Sequence, residues 1–275
     1  MTKFSSQLLY KTARALKSVG MLEQAASACK LAVKRGNHEK ARRLLSRLEL
    51  PGEDYFALLA RIHAHLKPRT YVEIGVAKGF SIRLASPHTA ALGVDPHPKL
   101  EVPTGPNVRI FAETSDDFFA SHDVIAELSG KRVELSLIDG MHQFEYALRD
   151  FINLERLSGP GSVVLIHDCY PIDELSAARD RRTEFWSGDV WRLIPILKKH
   201  RPDLAVHTIA TRPSGLGVVM NLQPSSTVLM QNLSSIIAEG HDMSFSILTG
   251  RKSETLNAFP NDWPKIRKLL DTVRH

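Results

Sequence analysis

The sequence predicts a doubly wound, mostly parallel α/β sheet preceded by a helical extension, and three observations carry that reading. Between about residues 70 and 222, short β-branched runs punctuated by Gly or Asp alternate with helical stretches. The runs are continuously apolar rather than alternating, which suits strands covered on both faces. The last two runs are joined by only Thr211–Leu216, too short for a parallel crossover, so they form an antiparallel hairpin.

The elements follow in order. Residues 5–49 read as short amphipathic helices. Leu9, Ala13 and Leu16 share one face, Leu22, Ala25, Cys29 and Ala32 the next, and Ala41, Leu44, Leu45 and Leu48 a third, with breaks at Gly20 and Gly36-Asn37. The phrase Gly20-x-Leu22-x-x-Ala25-x-x-x-Cys29-x-x-Ala32 resembles half of a tetratricopeptide repeat, and Gly36 restarts it. Pro51-Gly52 closes this region, and Tyr55–Leu66 is a further helix. Seven strands are expected, at Tyr71–Ile74, Ala91–Val94, Val108–Phe111, Val133–Ile138, Val163–His167, Ala205–Ala210 and Gly217–Asn221, with an amphipathic helix over Phe144–Leu157. Two helices are expected beyond Pro224, over Thr227–Ala238 and Asp262–Val273. The domain plan is therefore a tetratricopeptide-like extension over 1–50, the α/β domain over 51–222, and a helical extension over 223–275 that packs on it.

Composition narrows the function classes. A chain of 275 residues with 43% hydrophobic and 24% charged residues is an ordinary globular chain of one large domain, or one domain with an appendage. No apolar run is long enough to span a bilayer, and residues 1–20 carry Lys3, Lys11, Arg14 and Lys17 without the apolar core of a secretory signal. Cys29 and Cys169 are too few for a disulfide framework, which points to a reducing, cytoplasmic setting. Of the net charge of +6, residues 1–50 contribute 11 basic against 3 acidic residues, so the rest of the chain is slightly acidic. That argues against a nucleic-acid-binding face on the main domain and leaves the helical arm as an anion-attracting surface or a site for a protein partner or a second copy.

In doubly wound sheets ligands sit beyond the carboxyl ends of the strands. The first strand runs into Glu73-Ile74-Gly75-x-x-x-Gly79-Phe80-Ser81, a turn where the backbone can approach a ligand, with free N–H groups expected at the start of a following helix. It is neither a dinucleotide fingerprint nor a Walker loop. Asp95 ends the second strand 22 residues after Glu73, the spacing at which an acid can take both hydroxyls of a ribose, although a turn acid before Pro96 is the plain alternative. After the third strand Thr114 or Ser115 suits a helix cap, and Ser115 is also a candidate ligand contact. The fourth strand gives Ile138-Asp139-Gly140-Met141-His142, and the fifth His167-Asp168-Cys169. Two carboxylates and two imidazoles at neighbouring strand ends suit a divalent cation such as Mg²⁺ or Mn²⁺, or a proton transfer, with an Asp–His hydrogen-bonded cluster as the plain alternative. Cys169 reads as a buried small residue rather than a nucleophile.

Taken together, Glu73-Ile74-Gly75-x-x-x-Gly79, Asp95, Ile138-Asp139-Gly140-x-His142 and His167-Asp168 resemble the class I S-adenosylmethionine-dependent methyltransferases. The nearest pattern is the metal-dependent macrocin and mycinamicin type of sugar O-methyltransferase, which Gly188–Arg192 and Gly215–Val219 also resemble. The resemblance spans about residues 66–222. It implies a Rossmann-like methyltransferase fold, S-adenosylmethionine as cofactor, and a small-molecule acceptor hydroxyl, as on a sugar or glycoside. It implies that Glu73, Gly75, Gly79, Ser81 and Asp139 line the cofactor, that Asp95 holds its ribose and Ser115 its adenine edge. It further implies that Asp139, His167 and Asp168 hold a divalent metal, and that His142 is the general base. Ala77 replaces a glycine common in the wider class, and His167 stands where an acidic ligand is usual. Two other readings share these motifs: a metal-dependent hydroxylase on the same fold, and a non-catalytic binding module that docks a partner through the N-terminal helices. The acceptor pocket is expected from the insertion Tyr170–Trp191 and those helices.

Overall fold

The computed structural model describes residues 2–273, with side chains from residue 5 onward; Met1 and residues 274–275, His275 included, lie outside it. Four helices come first: α1 (Thr2–Ser18), α2 (Leu22–Gly36), α3 (Glu39–Glu49) and α4 (Tyr55–Leu66). Strands β1 (Thr70–Ile74), β2 (Ala90–Val94) and β3 (Val108–Phe111) follow, then α5 (Ser115–Ser121), α6 (Val124–Glu127), β4 (Val133–Ile138), α7 (Phe144–Leu157) and β5 (Ser158–His167). After a long connection come α8 (Leu193–His200), β6 (Ala205–Ile209) and β7 (Leu216–Met220). The C-terminal part holds α9 (Val228–Gln231), α10 (Leu233–Asp242), α11 (Lys252–Thr255), β8 (Ala258–Phe259) and α12 (Trp263–Asp271).

The strand order is β3-β2-β1-β4-β5-β7-β6-β8. Strands β1 to β5 pair in parallel, and β7 runs antiparallel between β5 and β6, as the short 211–216 link requires. The seven expected strands all form. An eighth, β8, lies where only helix was expected, and pairs in parallel with β6 through Thr208 and Ile209. A second departure concerns the first two crossovers. The segment after β1 makes only a three-residue 3₁₀ turn, Ile82–Leu84, before Pro87, instead of a helix with free N–H groups at its start. No helix forms between β2 and β3, where Pro96, Pro98, Pro103 and Pro106 remove amide donors and fix φ.

The sheet is covered on both faces. One side buries Val72, Ile138, Phe144, Phe151 and Val164, with α7, α8 and α10 packed over them. The other buries Leu58, Ile62, Tyr71, Leu135 and Val218. Ile266 and Leu270 of α12 join that second cluster, with Trp263, Leu269 and Val273 partly buried against it, so the apolar stripe of α12 packs on its own sheet.

Helices α1 to α3 attach through both apolar and ionic contacts. Ala13, Cys29, Leu44, Leu45 and Leu50 cluster with Ile172 and Phe185 of the connection after β5. Arg42 is fully buried and spends its guanidinium on Asp173 (Nε–Oδ2 2.6 Å), Glu39 (2.7 Å) and Asn37 (2.8 Å). A buried guanidinium left without its carboxylates destabilises by about 3–5 kcal/mol, so this pairing holds the extension in one position.

At Gly75 φ is +90°, and a Cβ would stand 1.9 Å from the backbone oxygen of Asp139. Gly20 also has positive φ (+80°) but nothing lies within 4 Å of a Cβ there. Gly20→Ala is therefore expected to destabilise by about 1 kcal/mol through backbone strain alone, and Gly75→Ala by about 2–4 kcal/mol through strain and overlap together. Urea unfolding of the two variants measures the difference; equal losses would show that the β1 turn has room to move.

Candidate active site

The parallel register sets Ile74, Ile138 and Ile166 side by side on β1, β4 and β5. The residues that follow, Gly75, Asp139 and His167, therefore leave the sheet at one level. Two backbone bonds fix the departure: Gly75 N–H donates to the Val94 carbonyl and Asp139 N–H to that of Ile74, each at 2.8 Å.

Four titratable groups converge there. Asp139 Oδ1 lies 3.0 Å from His167 Nδ1 and 3.7 Å from His142 Nε2. Asp168 Oδ2 lies 2.6 Å from His142 Nδ1 and 3.5 Å from His167 Nδ1, while its Oδ1 accepts from the Ser214 hydroxyl. Asp168 and His167 are buried, whereas 27% of the His142 side chain remains exposed. Burial pushes against the charged form of each group, and the opposite charges overcome it. The two imidazoles hold the Asp168 carboxyl well below the usual carboxylate range, and Asp139 and Asp168 hold His167 well above the usual imidazole value. Against the same burial, Asp168 and then Asp139 raise His142.

Backbone and rings lock this cluster. His142 (φ +57°) and Asp168 (φ +63°) both sit in the left-handed region, which side chains other than glycine seldom occupy. The His142 carbonyl accepts from Asp189 N–H at 3.2 Å, and the buried Asp189 carboxylate accepts from Phe144 N–H at 2.7 Å, so the turn is tied down at both ends. Trp186 stacks on His142 (5.2 Å between ring centres, 11° between planes), and Tyr55 stacks on His167 (4.1 Å, 26°). Burial, and then the charges of Asp139, Glu73 and Asp168, raise the Tyr55 phenol, which keeps it neutral.

The donors fit a divalent cation. Asp139, His142 and Asp168 each offer an atom, and all three atoms lie within 4.8 Å of one another. Oxygen and imidazole donors without thiolate suit Mg²⁺ or Mn²⁺. The sequence placed His167 in this set and left His142 free; the convergent trio instead contains His142. His167 Nδ1 faces Asp139, and its Nε2 is buried without a hydrogen-bond partner. Cys169 is buried with its thiol donating to the Ile166 carbonyl at 3.3 Å, and burial raises its pKa, which leaves it unreactive.

The residues expected to line a cofactor occupy less uniform positions. Glu73 is fully buried, and its two oxygens accept from Tyr71 (2.7 Å) and Ser81 (2.6 Å). Glu73 and Ser81 thus brace the β1 turn from behind instead of presenting side chains at its surface. Gly75 has its side-chain space filled by Asp139, and the space at Gly79 is closed by Leu100, 2.9 Å from where a Cβ would be. Asp95 does form a turn: Oδ2 accepts from Ala77 N–H at 2.7 Å and Oδ1 from His97 N–H at 2.8 Å, so it ties the β1 turn to the β2 turn. Ala77 adopts φ +44°, the conformation that the more usual glycine would take without strain. Thr114 is the cap of α5, accepting from Asp117 N–H, and the Ser115 hydroxyl bonds Asp150. Asp150 itself is buried in the wall of a small cavity shared with Ile138, Asp139 and His142, where burial raises its carboxyl to about 7.

Tyr55, Trp186 and Ser214 reach this cluster without any motif spacing that links them to it, since each arrives from a different part of the chain, whereas Asp189 falls within the Gly188–Arg192 phrase. Beside them opens a cleft of about 1330 Å³ between α2, the 170–192 connection and residues 241–253. Its wall mixes Lys30, Lys34 and Arg182 with Glu49, Asp173 and Glu174.

For Glu73, burial raises the carboxyl to about 8 despite the bonds from Ser81 and Tyr71. The folded state therefore keeps a proton that the unfolded chain loses near 4.5, and stability falls as pH rises from about 4.5 to about 8. Glu73→Gln is expected to remove that decline, so the variant gains on the parent with rising pH. Denaturant midpoints between pH 5 and 8 check this, and parallel curves for the two proteins would contradict it.

Residues 72–169 match the model of a methyltransferase domain family. No curated protein matches the chain. Among solved structures, an O-methyltransferase from Streptomyces achromogenes (TomG, involved in tomaymycin synthesis, with bound SAM) is 14% identical over 60% of this chain and 78% of its own, at a TM-score of 0.46. The cofactor-bound Rv0187 from MTB is 17% identical over 74% and 90%, at 0.49. An O-methyltransferase from Bacillus cereus in complex with SAH is 14% identical over 78% and 98%, at 0.43. These likenesses are too remote to carry any residue's role across. The matched segment holds the end of β1, its glycine turn and all four members of the strand-end cluster, so the similarity to a methyltransferase domain falls on the candidate site.

Proposed function

We propose that the protein is an S-adenosylmethionine-dependent methyltransferase that methylates a hydroxyl of a small polar acceptor, such as a sugar or glycoside, with His142 as the general base. The observation that carries this reading is the 2.6 Å approach of His142 Nδ1 to the buried, charged Asp168. A carboxylate behind one ring nitrogen orients the imidazole and stabilises the imidazolium that forms when the other nitrogen takes a proton. Of the two imidazoles, only His142 has the exposure to meet an acceptor, since the His167 side chain is 8% exposed and lies under Tyr55. S-adenosylmethionine supplies a sulfonium-borne methyl group for transfer to a nucleophilic oxygen. The turn at Gly75–Gly79, Asp95 and Ser115 are the residues proposed to hold it, with Asp95 on the ribose and Ser115 near the adenine edge. The stacked Trp186 and Tyr55 exclude water around the imidazoles, which strengthens their pairing with the carboxylates.

The acceptor is proposed to enter the cleft beside Tyr170. Its wall of interspersed cations and carboxylates suits a hydroxyl-rich, uncharged molecule, and Trp186, bonded to Ala178 of that wall at 2.7 Å, joins it to His142. Boundaries near residues 50 and 222, and a cytoplasmic setting for the two free, buried cysteines, belong to the same reading. No helix among the described residues is long and apolar enough to cross a membrane.

A second use of the cluster is favoured by the convergence of Asp139, His142 and Asp168. Those three would hold a Mg²⁺ or Mn²⁺ ion, which supplies Lewis acidity toward the acceptor hydroxyl. His142 is then a ligand and cannot be the base. Assay of methylated product with a chelator separates the two. We expect turnover to survive EDTA, and His142→Ala to lower kcat by about 10²–10⁴-fold with S-adenosylmethionine affinity, measured by calorimetry, unchanged. Loss of turnover in EDTA restored by Mn²⁺ would assign His142 to the ion, and a hydroxylated instead of a methylated product would replace the reaction.

A further inference from the structure

The N-terminal helices hold a second concave feature, away from the strand ends. Between α1 and α3 runs a groove of about 490 Å³. Arg14 and Lys17 line it from α1, and Lys40, Arg43 and Arg47 from α3, with Tyr10 and Leu44 as its apolar part. The spacing explains the arrangement. Positions 40, 43 and 47 fall on one face of α3, and 10, 14 and 17 on one face of α1, so each helix aims a cationic stripe at the other.

Among the described residues no carboxylate lines the groove. Among the described residues Arg14, Lys17, Lys40 and Arg47 make no ion pair, and Arg43 reaches only the exposed Glu184, at 3.6 Å. Other cations of the N-terminal helices do find carboxylates: Lys30 of α2 pairs with Glu49 at 2.8 Å, and Arg42 of α3 with Glu39 and Asp173. Five like charges gathered in one concavity repel one another and weaken the fold that holds them. An anion with several charges close together would relieve that repulsion.

We propose that this groove is a binding site for a small ligand carrying two adjacent phosphoryl groups. Three arginines offer planar, bidentate donors that match phosphate oxygens, and the two lysines add point charges. The volume is that of a small-molecule site. A nucleic-acid backbone fits less well, because it needs a basic track longer than the groove. Residues 51–275 carry 25 basic against 27 acidic residues, so the main domain adds no net positive charge to the groove. The site stands independently of the methyl-transfer reading, since it shares no residue with the strand-end cluster.

Calorimetric titration of the full chain with inorganic pyrophosphate at low salt tests the proposal. We expect one site per chain, tighter for pyrophosphate than for orthophosphate, weakened about tenfold or more in Arg14→Ala/Arg47→Ala and partly recovered in Arg14→Lys/Arg47→Lys. S-adenosylmethionine affinity is expected to stay unchanged in both variants. Lys40→Gln/Arg43→Gln repeats the test if circular dichroism shows that the first pair unfolds the helices. Equal binding of pyrophosphate to parent and folded variants, no preference over orthophosphate, or tighter binding of a single-stranded oligonucleotide through the same residues would each overturn it.

Discussion

The level ending of β1, β4 and β5 is the constraint on which the site depends. Parallel pairing of three apolar runs in one register brings Ile74, Ile138 and Ile166 abreast, and every residue that follows inherits a position from that alignment. Asp139 closes over Gly75, whose missing side chain is the space Asp139's backbone occupies. His167 and Asp168 emerge beside Asp139, and the turn after β4 carries His142 back over both. Slipping one strand by a single residue would reverse its faces, exposing its core side chains and withdrawing its polar end. The hydrophobic pattern that builds the sheet therefore also aims the polar groups.

Assembling charge at such a point is unfavourable in isolation. Burial opposes the charged form of Asp168, His167 and His142 alike, and the group persists because each acid finds an imidazole. The left-handed backbone at His142 and Asp168 is held by neighbours that allow no other path, including Ser214 on the Asp168 carboxylate and Asp189 on the His142 carbonyl. Strain retained at this one edge, and over-determined by its surroundings, is the arrangement expected of a site where geometry matters more than stability.

The connection after β5 joins this edge to the N-terminal helices. Asp173 receives the buried Arg42, Phe185 packs with Leu44 and Leu45, and Trp186 from the same stretch lies on His142. A segment that reads as an insertion is thus the wall of the cleft, the lid over one imidazole and the anchor of the extension. The extension in turn gathers five cations on the stripes of α1 and α3 that line the groove.

Much of this was legible from residues alone. The seven apolar runs located the seven principal strands, the short 211–216 link determined the hairpin, and the Asp and His at the strand ends named the cluster. These features are local: they depend on periodicity and on what a chain does where it leaves a sheet. What only the tertiary structure decided is how side chains share space. Prolines between β2 and β3 overrode the expected alternation with helices, and β8 formed because β6 offered an open edge. Burial turned Glu73 from a ligand contact into an inward brace, while the left-handed turn at His142 brought that ring, rather than His167, into the convergent trio. Tyr55, Trp186 and Ser214 were invisible because distance along the chain carries no record of which loops fold over the same point; packing alone determines that.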